Sequence, residues 1–373
     1  MRFEIKRETF LSAIQKTLGI VEKKTTMPIL NNVLIRTADG AGIVVVATDR
    51  EISLVASYEA NVIEEGEVTL SAKKLYEMIR EIQGDVIHFE ANEQHSVRMT
   101  CQKIVYRIPG ISPDEFPRVA DIGADVRFFA IEGSVIRDLI RKTSFAMSSD
   151  ESRKSLHAVL FEAMKEGEVQ RVKMVATDGH RLAQCYVDMD REFLELEQGV
   201  IIPRKGLMEI RKLMEEEPDY VAMGMERGMC IMKTDHAILK VSLVDAEYPD
   251  YRKIIPAEEE ISVQFNKNLL LHALKRMNVI SSERYNGVIV TLMNDKMVLN
   301  SNNPDVGEAN DEIEVSYQGK EITVGYNVSY LLDAVEVIDE EMVLLKLGIG
   351  MKPTMVLPVG NDSYSYIVMP LRP

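Results

Sequence analysis

The chain carries the string Val175-Ala176-Thr177-Asp178-Gly179-His180-Arg181-Leu182-Ala183 and a shorter echo of it, Val46-Ala47-Thr48-Asp49-Arg50-Glu51. Both follow an apolar run of strand type, and the two lie a domain length apart rather than a solenoid period. A chain that repeats at this spacing is restricted to folds assembled from copies of one domain. Only the later copy continues into Gly-His-Arg-Leu, so function is expected to reside where the copies differ.

The order of elements repeats with the motif. Phe10, Leu11, Ile14 and Leu18 recur at helical spacing, and strands are predicted at 29–35 and 43–46 around a turn at Asp39-Gly40. Leu75, Met78, Ile79 and Ile82 predict a second helix with Ser71 as its N-cap. Val135, Ile136, Leu139 and Ile140 begin the order again, followed by a turn at Glu166-Gly167 and a helix on Leu207, Ile210 and Met214 that starts at Pro203. Leu270, Ala273, Leu274 and Met277 begin it a third time, with a turn at Asn294-Asp295 and a last helix on Leu331, Val335 and Ile338 capped by Asn327. Pro-rich exits close the first two copies, at Phe116-Pro117-Arg118 and Tyr248-Pro249-Asp250-Tyr251. The reading is an α+β chain of three domains, 1–120, 126–256 and 257–373.

Composition excludes several classes. At 373 residues, with 46% hydrophobic and 28% charged residues, the chain has the makeup of a globular protein of two or three domains. No run approaches the ~20 apolar residues of a membrane span, and charges interrupt the N-terminus from Arg2 onward, which leaves no room for a secretory signal. A cytoplasmic protein without membrane contact is expected. Cys101, Cys185 and Cys230 lack metal or disulfide spacing and read as reduced core thiols.

The net charge of -15 argues at first against a polyanionic partner. Its distribution argues the other way. The six predicted helices (7–18, 71–83, 133–147, 203–216, 266–277 and 327–338) hold fifteen Lys and Arg against nine Asp and Glu. The pairs Lys73 and Arg80, Arg137 and Arg141, Arg204 and Arg211, and Lys205 and Lys212 recur one or two turns apart, away from the apolar face. Only the last helix departs from this, with Asp333 and Glu336 as its charges.

Catalysis would start from Asp178 and His180 as an orienting acid and a base, giving a hydrolase or transferase. The chain has no nucleophile elbow, phosphate loop, zinc-binding His-Glu-x-x-His or dinucleotide glycine pattern, and its six histidines lack metal spacing. No cofactor or metal is expected. Asp178 and Gly179 read more simply as a strand-end turn, Asp capping and Gly taking positive φ. A monomeric peptide-binding adaptor is a further alternative.

Thr177-Asp178-Gly179-His180-Arg181-Leu182, Tyr248-Pro249-Asp250-Tyr251-Arg252, Pro28-Ile29-Leu30 and the terminal Val368-Met369-Pro370-Leu371-Arg372 together resemble the bacterial replicative sliding clamp, the β subunit of DNA polymerase III. The resemblance runs the whole length of the chain. It implies three tandem clamp domains, each of two helices on antiparallel sheets, and a head-to-tail homodimer closing a ring around double-stranded DNA. Such a protein is a non-enzymatic processivity factor. Its implied partners are the replicative polymerase, the clamp loader and other proteins bearing a clamp-binding motif.

The resemblance also implies residue roles. A partner-peptide pocket would use Leu156, Thr177, Gly179, His180, Arg181, Leu182, Pro249, Lys253, Ile254, Met351, Pro353, Val368, Met369, Pro370, Leu371 and Arg372. DNA would face Lys24 and Arg153 together with the helix residues Lys73, Arg80, Arg137, Arg141, Arg204, Lys205, Arg211 and Lys212. The dimer seam would bring Tyr106 and its edge strand to Val279 and Ile280 of the other copy. Lys253 stands where better-known members carry Arg, Leu371 where Met is common, and Lys154 and Ser155 where they carry aromatic residues.

Overall fold

The computed structural model describes the chain apart from residues 22–26, 39–41, 191–195, 197–198, 216–218, 257–260, 282–285, 349, 351 and 372–373. Lys24, the Asp39-Gly40 turn, Glu216, Glu217, Met351, Arg372 and Pro373 therefore lie outside the described residues. The rest forms two compact units, Met1–Ser134 with Lys205–Leu243, and Val135–Arg204 with Val244–Pro373.

Six α-helices occur among the described residues: α1 (Arg7–Thr17), α2 (Ala72–Glu81), α3 (Gly133–Thr143), α4 (Arg204–Met214), α5 (Lys267–Ile280) and α6 (Val328–Glu336). Each matches an expected helix, and the apolar spacing gives the reason. In α2, Leu75 and Ile79 are fully buried and the polar residues face out, each apolar side chain contributing about 1.5–3 kcal/mol. Gly206 in α4 serves close approach, since a Cβ there would meet Val241 Cγ1 at 2.1 Å.

Several expectations need correction. The strand predicted at 29–35 begins instead with a 3₁₀ turn, Pro28–Asn31, followed by the strand Asn32–Ala38. Pro28 fixes the φ of a helical first turn and has no N–H for a ladder. Ser71 sits at the N-cap of α2 but makes no side-chain cap, and Pro203 ends the strand Val200–Pro203 rather than opening α4. Asn327 does cap α6, accepting from Ser329 N at 3.0 Å. Helix 133–147 ends at Thr143 and passes into the 3₁₀ turn Ser144–Ala146, whereas α5 runs on to Ile280.

The largest correction is a strand directly before every helix. Arg2–Lys6 runs into α1, Glu67–Ser71 into α2, Phe128–Glu132 into α3, Val200–Pro203 into α4, Ile261–Asn266 into α5 and Ile322–Asn327 into α6. In Arg2–Lys6 the inward residues Phe3 and Ile5 are buried, and Phe3 stacks on Phe89 with centroids 4.6 Å apart while Phe10 of α1 meets it edge-on. A strand five residues long alternates only twice, too briefly for periodicity to stand out beside a neighbouring helix.

All ladders among the described residues are antiparallel. The first unit holds a five-stranded sheet, ordered Asn61–Glu64, Arg2–Lys6, Val86–Ala91, Ser96–Cys101, Ile104–Pro109, with α1 and α2 packed together. Its eight-stranded sheet runs Phe128–Glu132, Tyr220–Glu226, Met229–Lys233, Ala237–Ser242, Ile52–Tyr58, Gly42–Thr48, Asn32–Ala38, Glu67–Ser71. The second unit has an eight-stranded sheet of the same plan: Ile261–Asn266, Met342–Leu347, Thr354–Pro358, Tyr364–Val368, Arg181–Met189, Val169–Thr177, Ala158–Glu166, Val200–Pro203. A four-stranded sheet, Gly307–Glu314, Lys296–Asn303, Gly287–Met293, Ile322–Asn327, completes it beneath α5 and α6.

Each eight-stranded sheet is thus made by two successive repeats. In the second unit the joint is the pairing of Arg181–Met189 with Tyr364–Val368, in register Arg181↔Val368 and Leu182↔Ile367. The expected turns at Glu166-Gly167 and Asn294-Asp295 lie where two strands meet, Gly167 at φ 65 and Asp295 at φ 57. Cys101, Cys185 and Cys230 are free and buried, as expected.

Candidate functional site

The turn between Val169–Thr177 and Arg181–Met189 is built by its own side chains. Thr177 Oγ1 donates to the Arg181 carbonyl (2.6 Å) and accepts from Gly179 N (3.1 Å). Asp178 Oδ1 accepts from His180 N (2.9 Å) and Arg181 N (3.1 Å), and Oδ2 accepts from Arg181 Nε (3.0 Å). Gly179 takes φ 93, a conformation that disfavours any Cβ. Both carboxylate oxygens of Asp178 are thereby committed to the turn, and the His180 ring is exposed on its far side. This is a capping role, in which three of the carboxylate's roughly four acceptor positions serve the turn.

Arg181 is the most heavily bonded of the expected pocket residues. Besides Asp178 it reaches Asp333 of α6 (Nη1 to Oδ2, 2.5 Å) and the Phe145 carbonyl (Nη2, 2.7 Å), and it lies over the Tyr330 ring at 4.3 Å. Its side chain is only 10% exposed. Burial works against the guanidinium charge, but the neighbouring Tyr366 and Asp333 oxygens outweigh it and hold the group above its ordinary pKa. Arg181 therefore ties α6 and the Ser144–Ala146 turn to the site more than it offers a free contact.

The acidic exception among the helices acquires a reason here. Asp333 serves Arg181, Glu336 bonds Lys275 at 3.2 Å, and Asp339 just beyond α6 takes Arg141 at 2.5 Å and Lys142 at 3.3 Å. The last helix is acidic because it supplies counter-ions inside its own unit.

The C-terminal segment runs along the turn. Met369 N donates to the His180 carbonyl (2.9 Å), and Leu371 N to the Gly325 carbonyl (2.8 Å). Beneath them Leu182, Ile367, Tyr251, Val175, Leu160, Ala158 and Ile201 form one apolar cluster, with Val244, Tyr248, Ile255 and Met355 half-buried at its margin. Ile254 (37%), Met369 (37%) and Leu371 (42%) are partly exposed apolar side chains of these segments. Val368 and Pro370 are buried.

The remaining expected pocket residues attach to this frame. Leu156 is buried behind Arg153, whose Nη1 donates to the Asp178 carbonyl at 2.8 Å. Pro353 precedes Thr354, which pairs with Val368. Pro249 and Lys253 are exposed, and Lys253 forms an ion pair with Asp250 at 3.1 Å. The Tyr251–Ile254 turn is fixed from below by Glu162, which accepts from the Tyr251 hydroxyl (2.7 Å) and Arg252 (2.6 Å). Glu162, Tyr330 and Phe145 escaped the sequence reading, and Asp333 entered it only as an exception of charge, because each meets the site across a long stretch of chain and carries no local motif.

The basic helix residues divide by partner. Lys73 is loosely placed, 3.9 Å from Glu77, and Arg80 bonds Glu81 at 3.0 Å. Lys205 pairs with buried Asp49, Lys212 bonds buried Glu209 at 2.7 Å, and Arg211 lies 3.8 Å from Glu215. Arg141 is bound to Asp138 and Asp339, while Arg137 and Arg204 are half-buried. Part of the expected basic stripe is neutralised by the fold itself.

Of the expected seam residues, Tyr106 lies on Ile104–Pro109, the edge strand of the five-stranded sheet. Val279, at the end of α5, is 76% exposed, and Ile280 is half-buried. Among the described residues no cluster of His, Cys, Asp and Glu is arranged to hold a metal, and no helix is long and apolar enough to cross a membrane.

Comparison with known proteins bears on the whole chain. Profiles of the DNA polymerase III beta subunit match it three times in succession: the N-terminal domain over residues 1–120, the central domain over 130–250 and the C-terminal domain over 252–372. The beta sliding clamp of Pseudomonas aeruginosa is 33% identical over 373 residues, with 100% of each chain covered. That of Escherichia coli K12 is 29% identical over 374 residues, again with both chains fully covered. The crystal structure of the Pseudomonas aeruginosa beta subunit superposes with a TM-score of 0.90 at 32% identity over 100% of both chains. That of the Caulobacter crescentus beta sliding clamp superposes with a TM-score of 0.93 at 28% identity, over 100% of this chain and 99% of that one.

Proposed function

Because the chain belongs to the DNA polymerase III β-subunit family, the β sliding clamps, and consists of three tandem clamp domains, we propose that it tethers its replication partners through the second-unit site while encircling DNA as a homodimeric ring. It is a processivity factor of DNA replication, an accessory subunit and not a catalyst. The domains take the boundaries 1–120, 126–256 and 257–373, and the ring works in the cytoplasm.

The observation that carries the peptide site is the bond from Met369 N to the His180 carbonyl. It supports a cleft in which the apolar tail is one wall, the turn 177–182 another and Ile254 a third, above an apolar floor. A short extended peptide with one or two apolar anchors suits such a cleft. Polymerase, clamp loader and other partners compete for it. His180, Gly179, Thr177 and Pro249 contribute the rim, and Arg181 acts mainly from beneath.

Two unpaired sheet edges support the ring. Among the described residues Ile104–Pro109 pairs only with Ser96–Cys101, and Gly307–Glu314 only with Lys296–Asn303. The first edge carries Arg107 and follows Lys103; the second carries Glu308 and Glu314, with Asp311 and Glu312 already paired to Arg276 and Lys296. Edges of opposite charge pair readily between copies, continuing the sheet and covering Tyr106 and Val279. DNA contacts then fall to the helices, are independent of sequence, and weaken with salt.

Sedimentation together with loading onto nicked circular DNA tests this reading. A particle of two chain masses, retained on the circle and released when the circle is cut, is expected. A single-chain particle, or retention on linear DNA with free ends, would overturn the ring.

A further inference from the structure

The turn at the second-unit site has a counterpart in the first unit that shares its capping bonds. Thr48 Oγ1 donates to the Ile52 carbonyl (3.0 Å) and accepts from Arg50 N (3.0 Å), as Thr177 does with Arg181 and Gly179. Asp49 Oδ1 caps Glu51 N (2.9 Å) and Ile52 N (2.6 Å), as Asp178 caps His180 and Arg181. Ser242 N donates to the Glu51 carbonyl (2.8 Å), as Met369 N does to His180. The two registers then align Arg50 with Gly179, Ser53 with Leu182, Lys240 with Ile367 and Ile231 with Met355.

This counterpart is open. A cavity of about 600 Å³ is lined by Thr48, Arg50, Ser53, Arg118, Ile231 and Lys240. A second, of about 690 Å³, shares the strap 117–121 and Lys240 with it and adds the apolar wall Leu34, Val46, Val55 and Ile238. Volumes of this size hold several side chains of a peptide.

The chemistry of the lining is changed. Where the second unit has Gly179, Leu182 and Ile367, the first has Arg50, Ser53 and Lys240. Lys240 is 7% exposed and donates to the Ala120 carbonyl, with no carboxylate partner among the described residues. An ammonium has three donors, and a buried cation is costly without an anion beside it. The first cavity holds Arg50, Arg118, Arg227 and Lys240 against Glu115, Asp121 and Glu226, and the second adds Arg36 against Glu67 and Asp114. The lining is therefore balanced in formal charge, and the preference for an acidic segment rests on Lys240 and Arg50. Glu226 already accepts from Gly123 N at 3.2 Å, and Glu115 and Asp121 are exposed. Arg50 stands at φ 80, a backbone conformation that disfavours a residue with a Cβ. The first unit thus keeps an arginine where its counterpart uses the unstrained glycine.

We infer that this groove is a second peptide site, one that takes an extended acidic segment. A carboxylate of the segment meets Lys240 and Arg50, and alternate apolar side chains lie on Leu34, Val46, Val55 and Ile238. The inference borrows its geometry from the peptide reading of the second-unit site, and its test separates the two.

Fluorescence polarisation of a labelled, amidated hexapeptide alternating glutamate and leucine, titrated with the full-length protein, is the measurement. Saturable binding is expected, weakened about tenfold by Lys240→Met and by Arg50→Gly, absent for the glutamine–leucine analogue, and unchanged when residues 369–373 are deleted. Arg50→Gly relieves the positive φ, so a loss of binding in that variant does not reflect unfolding. The inference is overturned by absence of saturable binding, by equal binding of the glutamine analogue, or by unaltered affinity in either variant. Loss of binding on deleting 369–373 assigns the peptide to the second-unit site and also overturns it. Preferential binding of a single-stranded oligonucleotide that Lys240→Met abolishes overturns the peptide class.

Discussion

Arg181 and Asp333 belong to different repeats of the sequence, yet Nη1 of one lies 2.5 Å from Oδ2 of the other, while Nε of the same guanidinium holds Asp178 at 3.0 Å. One buried cation thus joins the turn at the candidate site to the last helix. The turn keeps its shape through a contact on its hidden side, while Gly179 and His180 are exposed.

Removing that contact should loosen the turn. Asp333→Ala is expected to destabilise the protein by about 1–3 kcal/mol, because it leaves a buried guanidinium short of an acceptor. Chemical denaturation measures this. Asp333→Asn, which keeps an acceptor oxygen, should lose less, and both variants should bind partner peptide more weakly than the parent.

Deleting residues 369–373 should abolish partner-peptide binding and spare the fold. Val368 stays paired with Arg181 and Thr354 in the truncated chain, so the eight-stranded sheet remains closed. Peptide affinity should fall by more than tenfold while the melting temperature stays near that of the parent. Unchanged affinity would remove the tail from the site.

Much of this was legible in the sequence, and the failures share a cause. The helices were readable because nine to fourteen residues of 3.6-residue periodicity outlast local noise. The strands leading into them were not, since Phe3 and Ile5 alternate with only three polar neighbours. The turn 177–182 was visible through its Asp and Gly, but its chemistry was ambiguous. An Asp beside a His reads as an acid–base pair until the acceptors are counted, and Asp178 spends its oxygens on His180 N, Arg181 N and Arg181 Nε. The acidic last helix looked anomalous because charge was tallied element by element, whereas Asp333, Glu336 and Asp339 answer cations distant in sequence.

The thiols give a prediction in pH. Burial pushes Cys185 and Cys230 up to about 12, with Lys142 opposing the shift at Cys185. Their folded pKa lies above the unfolded value of about 8.5. The stability they contribute is therefore complete below about pH 8.5 and is lost as pH rises toward 12. Thiol reagent at pH 8 should leave both unmodified in the native protein and label them on addition of denaturant. Labelling of the native protein at the rate of a free thiol would contradict the burial.

If the helices contact DNA as proposed, salt dependence should separate the cations that do so from those that brace the fold. Lys73 is exposed and only loosely paired, so Lys73→Ala should flatten the plot of log affinity against log salt by about 0.9. Lys212 bonds Glu209, whose side chain is 6% exposed. Lys212→Ala should change that slope less and cost stability instead, since it strands a buried carboxylate. Duplex-DNA anisotropy over a salt series, read beside melting curves, distinguishes the two.

The division into Met1–Ser134 with Lys205–Leu243, and Val135–Arg204 with Val244–Pro373, is out of phase with the threefold repeat. What recurs along the sequence is not what stands alone in space. A fragment cut at the first repeat boundary would bare the Ile52–Tyr58 edge that Ala237–Ser242 covers, and a fragment holding only the second repeat would bare Arg181–Met189 in the same way. Dissecting this protein into single repeats should therefore yield sticky pieces that aggregate, and swapping one repeat for a relative's must preserve the ladder at both of its borders.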